Sequence, residues 1–334
     1  MNSSLNSLGK RLNMSTLVLV DRGTARRGRL VLRGWHALCA ALALLFVVAA
    51  PGVAFSQRVF ETPDEAVKAL VDAARANDIR RVGVILGLFG RNIVSSGDGV
   101  ADTNARAKFV AAYEAANRLV ADGDSRATLE IGKDNWPFPV PLAKSRDGWR
   151  FDSLAGRHEV LARRIGTNEL NAIQVCLAYV DAQREYAKLD PEHNGTSVYA
   201  QRVVSQPDKK DGLYWPAAEG APPSPLGGFM AGAAGEGYRA GQSRIPYHGY
   251  YYRILRAQGP NADGGAYDYV VRGRMIGGFA LVAYPAEYRN SGVMTFVVNH
   301  DGAVFQKDLG AGTAGIASGM RSFNPDNSWK KVAP

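Results

Sequence analysis

Cysteine and histidine are scarce here, with two cysteines and five histidines among 334 residues. No pair stands at the CxxC or HExxH spacing of a zinc site, so neither motif is present. Cys39 lies inside an apolar run near the start, which leaves Cys176 alone if that segment is removed. An intramolecular disulfide is then excluded. Cys176 falls in an apolar helical stripe, which makes it a core thiol in preference to a nucleophile or a cross-link. The segment 57–155 contains no histidine at all, and an Asp–His pair inside it is ruled out. No cofactor fingerprint is present, and the expected cofactor set is none.

An excess of positive charge is also missing once its location is considered. The whole chain carries +9, but residues 1–56 hold seven of the 40 basic residues and one of the 31 acidic ones. The remaining 278 residues balance 33 basic against 30 acidic. A nucleic-acid partner therefore loses its electrostatic support.

What is present begins with that first segment. Lys10, Arg11, Arg22, Arg26, Arg27, Arg29 and Arg33 precede an uncharged apolar run from Trp35 to Phe55, and Ala54-Phe55-Ser56 supplies small residues ahead of Gln57. This pattern reads as an export signal over 1–56 and places the working protein in the periplasm. The run is also about 20 residues long, enough to span a bilayer. The alternative is an inner-membrane anchor with a periplasmic domain, its membrane contact confined to residues 35–55. Pro51-Gly52, which ends a helix just before the small residues, favours cleavage.

The rest reads as α+β in two parts, 57–155 and 156–334. Thr62-Pro63-Asp64-Glu65 is a capping box, followed by short helical segments and a helix spanning Thr103 to Val120. From Thr128 the period changes to two, with a hairpin over Leu142–Phe151 turning at Arg146-Asp147-Gly148. A long helix is expected from Ala155 to Leu189, with Leu170, Ile173, Leu177 and Val180 as its apolar stripe. A Gly/Pro-rich loop covers 194–247, carrying Tyr199, Tyr214, Trp215, Phe229 and Tyr238, aromatics that need a packing surface. Four strands close the chain as an antiparallel meander: Tyr250–Ala257, Phe279–Tyr284, Val293–Val298 and Ala303–Lys307.

Three likenesses follow from these phrases. Asp147-Gly148-Trp149-Arg150-Phe151-Asp152 and the element order of 57–155 resemble nuclear transport factor 2-like domains. That resemblance implies a cone with an apolar interior, whose candidate pocket lining is Trp136, Trp149 and Phe151, with Phe138 beside them. Thr167-Asn168-Glu169-Leu170-Asn171-Ala172-Ile173, Ala182-Gln183-Arg184-Glu185-Tyr186 and the closing strands resemble the globular heads of type IV pilins and pseudopilins. This implies a helix lying on a meander sheet. About a hundred residues separate the apolar segment from that helix, and no prepilin cleavage site is present, so filament assembly is not implied. The exported arrangement as a whole is similar to an uncharacterised family of bacterial envelope proteins.

The most unusual phrase is Tyr247-His248-Gly249-Tyr250-Tyr251-Tyr252-Arg253. Strand alternation would place His248, Tyr250 and Tyr252 on one face and Tyr247, Tyr251 and Arg253 on the other, one of them a tyrosine platform for a ligand or partner. His300-Asp301 reads as a hairpin turn, and His158 and His193 as isolated residues near helix ends. Asn324–Trp329 and Asn261–Gly264 offer oxygen atoms but lack the spacing of a calcium loop, and read as turns. The function expected is a non-catalytic binding or assembly role in the cell envelope, with an unidentified envelope protein or small ligand as partner. Two alternatives stand beside it. One is a periplasmic hydrolase with its site under the 194–247 loop, which needs Cys176 or a serine within hydrogen-bond reach of His248 or His193. The other is a pseudopilus-associated subunit.

Overall fold

The computed structural model describes residues 57–189, 195–241 and 245–332. The export or anchor segment, the Asp190-Pro191 helix stop and His193 lie outside the described residues.

The chain enters through α1 (Pro63–Arg75), where the capping box forms as expected. Thr62 is extended, and its hydroxyl accepts the Glu65 N–H at 3.2 Å. The Glu65 carboxylate reaches back one residue further than the motif requires, to the Glu61 N–H. Asp78 caps α2 (Ile79–Leu86), which Gly87 ends at φ +76°. The short α3 (Gly90–Val94) follows, and Asp98 caps α4 (Gly99–Ala115).

The helix expected to reach Val120 stops at Ala115. Ala116 turns extended, and β1 (Asn117–Asp122) pairs antiparallel with β2 (Arg126–Ile131). Phe109, Tyr113, Ala116 and Val120 keep helical spacing, but strand pairing outweighs that weak local preference. The Gly132 N–H closes the helix end by donating to the carbonyls of Ala112 and Ala116. The expected hairpin forms between β3 (Leu142–Ser145) and β4 (Gly148–Phe151), with Ser145 opposite Gly148 and Leu142 opposite Phe151. Its turn depends on Gly148, at φ +128°, where a Cβ would lie 2.4 Å from the Phe60 carbonyl oxygen. Pro137, Pro139 and Pro141 each lack a ladder donor, and Pro137 enters only a two-residue pairing with β2.

A single helix, α5 (Ser153–Leu189, 37 residues), serves two hydrophobic cores. Phe60, Leu70, Ile85, Leu129, Leu142 and Phe151 build the first. The second lies between the C-terminal half of α5 and the closing sheet. Here half of the expected stripe reaches the core, with Val180 buried and Ile173 packed against it, whereas Leu170 is 67% and Leu177 38% exposed and Ala172, Cys176, Tyr179, Gln183 and Tyr186 face inward. The spacing of this inward-facing set alternates four and three, the same period rotated around the helix. Small side chains at 172 and 176 let the helix approach the sheet, and an apolarity count does not register size.

The closing sheet contains β5 (Tyr250–Leu255), β6 (Ala280–Pro285), β7 (Met294–Asn299) and β8 (Val304–Asp308), all antiparallel and in sequential order. The four expected strands are therefore present, and Lys330–Lys331 adds a short fifth beside β8. β6 and β7 are buried through most of their length, whereas β5 is an edge. Two short helices complete the fold, α6 (Gly227–Gly235) within the long loop and α7 (Thr313–Gly319) near the end. The protein is α+β, with a long helix packed on a sheet. Among the described residues no helix is long and apolar enough to cross a membrane.

A tyrosine-walled cavity at the sheet edge

The unusual tyrosine phrase turns a corner before it becomes a strand. Tyr247 and Tyr250 exchange backbone hydrogen bonds in both directions, at 2.9 and 3.2 Å, around His248 and Gly249. Those two residues have φ of +49° and +74°, the geometry of a mirror-type hairpin turn. The expected faces therefore change: His248 and Tyr247 belong to the turn, and strand alternation begins only at Tyr250.

Asp98 holds this turn in place. Its carboxylate is fully buried. One oxygen caps α4 through the Ala101 N–H; the other accepts the Tyr238 hydroxyl at 2.8 Å and the Gly249 N–H at 3.0 Å. The Tyr238 ring meets Tyr247 edge-on, with centroids 4.7 Å apart, and Phe229 meets Tyr247 at 5.5 Å. The loop aromatics thus pack as their composition demanded, with Tyr199 on Phe279 and Trp215 on Tyr186. Burial pushes the hydroxyls of Tyr238, Tyr247 and Tyr252 upward in pKa, Tyr247 to about 12. All three remain neutral near pH 7.

Beside this cluster lies a cavity of about 680 Å³. Its walls come from Val175, Ala178 and Tyr179 of α5, from Phe229, Met230 and Ala233 of α6, and from segment 201–206. Five of the six candidate surface residues, Tyr247, Tyr250, Tyr251, Tyr252 and Arg253, line it too. His248 is not among them and sits 3.4 Å from Glu236 through Nε2. Consecutive residues of β5 line the cavity, so the strand turns its edge toward it and not one pleated face. A smaller cavity of about 250 Å³ shares Gln201 and Arg202 with the first and adds Asp211, Arg256 and Arg274.

The remaining candidates fall elsewhere. Trp136 is 41% exposed under the Arg163 guanidinium, Trp149 is half-buried and exchanges backbone bonds with Phe60, and Phe151 is core. None of the three lines either cavity. Cys176 is fully buried and its thiol is pushed up to about 12 by desolvation. It is a neutral core side chain at physiological pH. Among the described residues, no hydrogen bond joins Cys176 or a serine to His248. His300 follows β7 in a tight turn closed by the Gly302 N–H on the Asn299 carbonyl. Asp326 spends its carboxylate on Ser328, and no cluster of three or more potential metal ligands occurs among the described residues.

Sequence reasoning missed the contribution of α6 and of segment 201–206. The only signal was the aromatic content of a loop otherwise rich in Gly and Pro.

Fold and site together define an α+β protein with a helix-on-sheet core and an aromatic cavity at an open strand edge. Residues 57–332 match the family model described as a protein of unknown function, DUF2950, and the chain belongs to that family. No curated protein and no solved structure matches it significantly.

Proposed function

We propose that this protein is an exported, non-catalytic binding component of the bacterial cell envelope, and that its cavity takes a ligand with an apolar or aromatic body. The observation carrying this reading is the cavity of about 680 Å³, a size typical of ligand sites. Aliphatic and tyrosine side chains wall it, and among the described residues its lining holds no nucleophile–base pair of the kind acyl-transfer chemistry needs. The basic, then apolar, N-terminal pattern supports export, and the near-neutral charge of the remainder argues against nucleic acid.

The test is binding of the fluorophore 1-anilinonaphthalene-8-sulfonate to the folded protein, compared with Ala233→Trp. Ala233 is 5% exposed and faces the cavity from α6, so an indole there fills the space. The expected result is dye binding to the parent that falls at least about tenfold in the variant. Equal binding by both would remove the cavity as the site. Fractionation of the native host with intact-mass measurement tests the location, and a periplasmic species beginning near Gln57 is expected.

A further inference from the structure

β5 is the edge of the closing sheet, and its backbone parity can be read from one bond. The Ala286 N–H donates to the Gly249 carbonyl at 2.9 Å, and residues 249 and 286 lie on the same register as Tyr250↔Pro285. Hydrogen-bonded pairs alternate along an antiparallel ladder. Tyr251, Arg253 and Leu255 therefore pair with β6, while Tyr250, Tyr252 and Ile254 turn their N–H and C=O groups outward. Tyr250 spends both of its groups on Tyr247. Beyond the strand, Arg256 spends its own on Arg321 and Tyr269. Tyr252 and Ile254 are left with two donors and two acceptors that find no backbone or side-chain partner among the described residues. Both residues line the large cavity.

The charges around it are unbalanced. Among the described residues, Arg202, Arg239 and Arg253 line the cavity and no Asp or Glu does. Arg202 has Asp211 at 3.6 Å, and Arg253 donates to backbone carbonyls at the end of α7. Arg239 has no ion pair among the described residues.

We propose that the cavity receives an extended peptide segment, which adds a strand to β5 at Tyr252 and Ile254 and carries a carboxylate toward Arg239. This rests on the binding reading above and names its ligand class. The open stretch is about 7 Å long, the rise of two strand residues. A peptide of three or four residues in register satisfies all four edge groups, and alternate side chains enter the apolar space. Open edges are otherwise hazards that proteins cover or charge. Among the described residues, the edge stays open only at Tyr252 and Ile254, where the cavity lies against it.

The experiment uses a pool of fluorescent octapeptides alternating Val, Leu or Phe with Thr or Ser and ending in Glu, measured by polarisation and by amide hydrogen exchange. Binding is expected, with new exchange protection at Tyr252 and Ile254 and none gained at Tyr251 and Arg253, which the ladder already protects. N-methylation of alternate peptide residues should weaken binding at least about tenfold. Ile254→Pro removes one outward N–H at an edge that tolerates proline and should weaken the peptide in parallel. Equal binding of the N-methylated pool, or protection elsewhere, overturns strand addition. Dye binding without peptide binding overturns it while leaving the cavity reading intact, and failure of both removes that reading as well. Protection of Tyr252 and Ile254 in a peptide-free dimer assigns the edge to a second copy and also overturns the proposal.

Discussion

Single residues carry several of the most exacting contacts. Asp98 is a buried carboxylate satisfied by three donors, one of them a helix N-terminus. Asp98→Ala removes the cap and strands the Tyr238 hydroxyl and the Gly249 N–H. A loss of about 3 kcal/mol or more is expected by urea denaturation. Gly148→Ala meets both a positive φ and a backbone oxygen at 2.4 Å from the new carbon. Neither can yield cheaply, and a loss of at least about 2 kcal/mol is expected. Cys176 supplies a pH dependence. Its thiol titrates near 9.0 when unfolded and near 12 when folded, so the unfolded chain holds fewer protons between those values and stability falls as pH rises through the window. The slope expected from this group is about 1.4 kcal/mol per pH unit. Below pH 9 its contribution is complete. Denaturation midpoints of the parent and Cys176→Ala, measured from pH 8 to 11, should converge as pH rises.

Among the elements, α5 connects the two cores. Arg164 lies in its first half and is substantially buried, with desolvation lowering its pKa. Its guanidinium donates to the carbonyls of Asn92 and Ile93 in α3 and to the Asn290 side chain in the turn between β6 and β7. Asn290 returns a bond to the Ser95 carbonyl at 2.9 Å. Three separate segments thus meet at one cation. Arg164→Ala leaves their acceptors unpaired and should cost about 2–4 kcal/mol. Amide exchange should rise in α3 and around Asn290 with α1 unchanged; uniform exchange across the chain would show that the contact is not local.

At the scale of the molecule, the two cores share one uninterrupted helix and fall within one compact unit. Trp149 packs against the first core and Trp136 pairs with its strand β2, while Trp215 and Trp329 pack against the second. With each pair replaced by Phe in turn, the urea transitions are expected to coincide, because breaking either core frays the helix the other needs. Two separated midpoints would instead mark residues 57–155 and 156–334 as independent folding units.

The amino-acid order alone determined whatever depends on near neighbours. The cap at Thr62, the hairpin at Arg146-Asp147-Gly148, the span of α5 and the four closing strands follow from periodicity and turn chemistry over a few residues. It also marked Tyr247–Arg253 as an unusual phrase, and five of those residues line the large cavity. Tertiary structure decided what depends on partners distant in sequence. Val120 became part of a strand because β2 was there to pair with it, and the stripe of α5 rotated from Leu170 and Leu177 to Ala172 and Cys176 because the sheet admits small side chains. A left-handed pair at His248-Gly249, anchored by Asp98 about 150 residues earlier in the chain, turned the tyrosine strand's edge toward the cavity. Local rules set which residues can form a strand, and only the packed chain determines which of its hydrogen-bonding groups remain open.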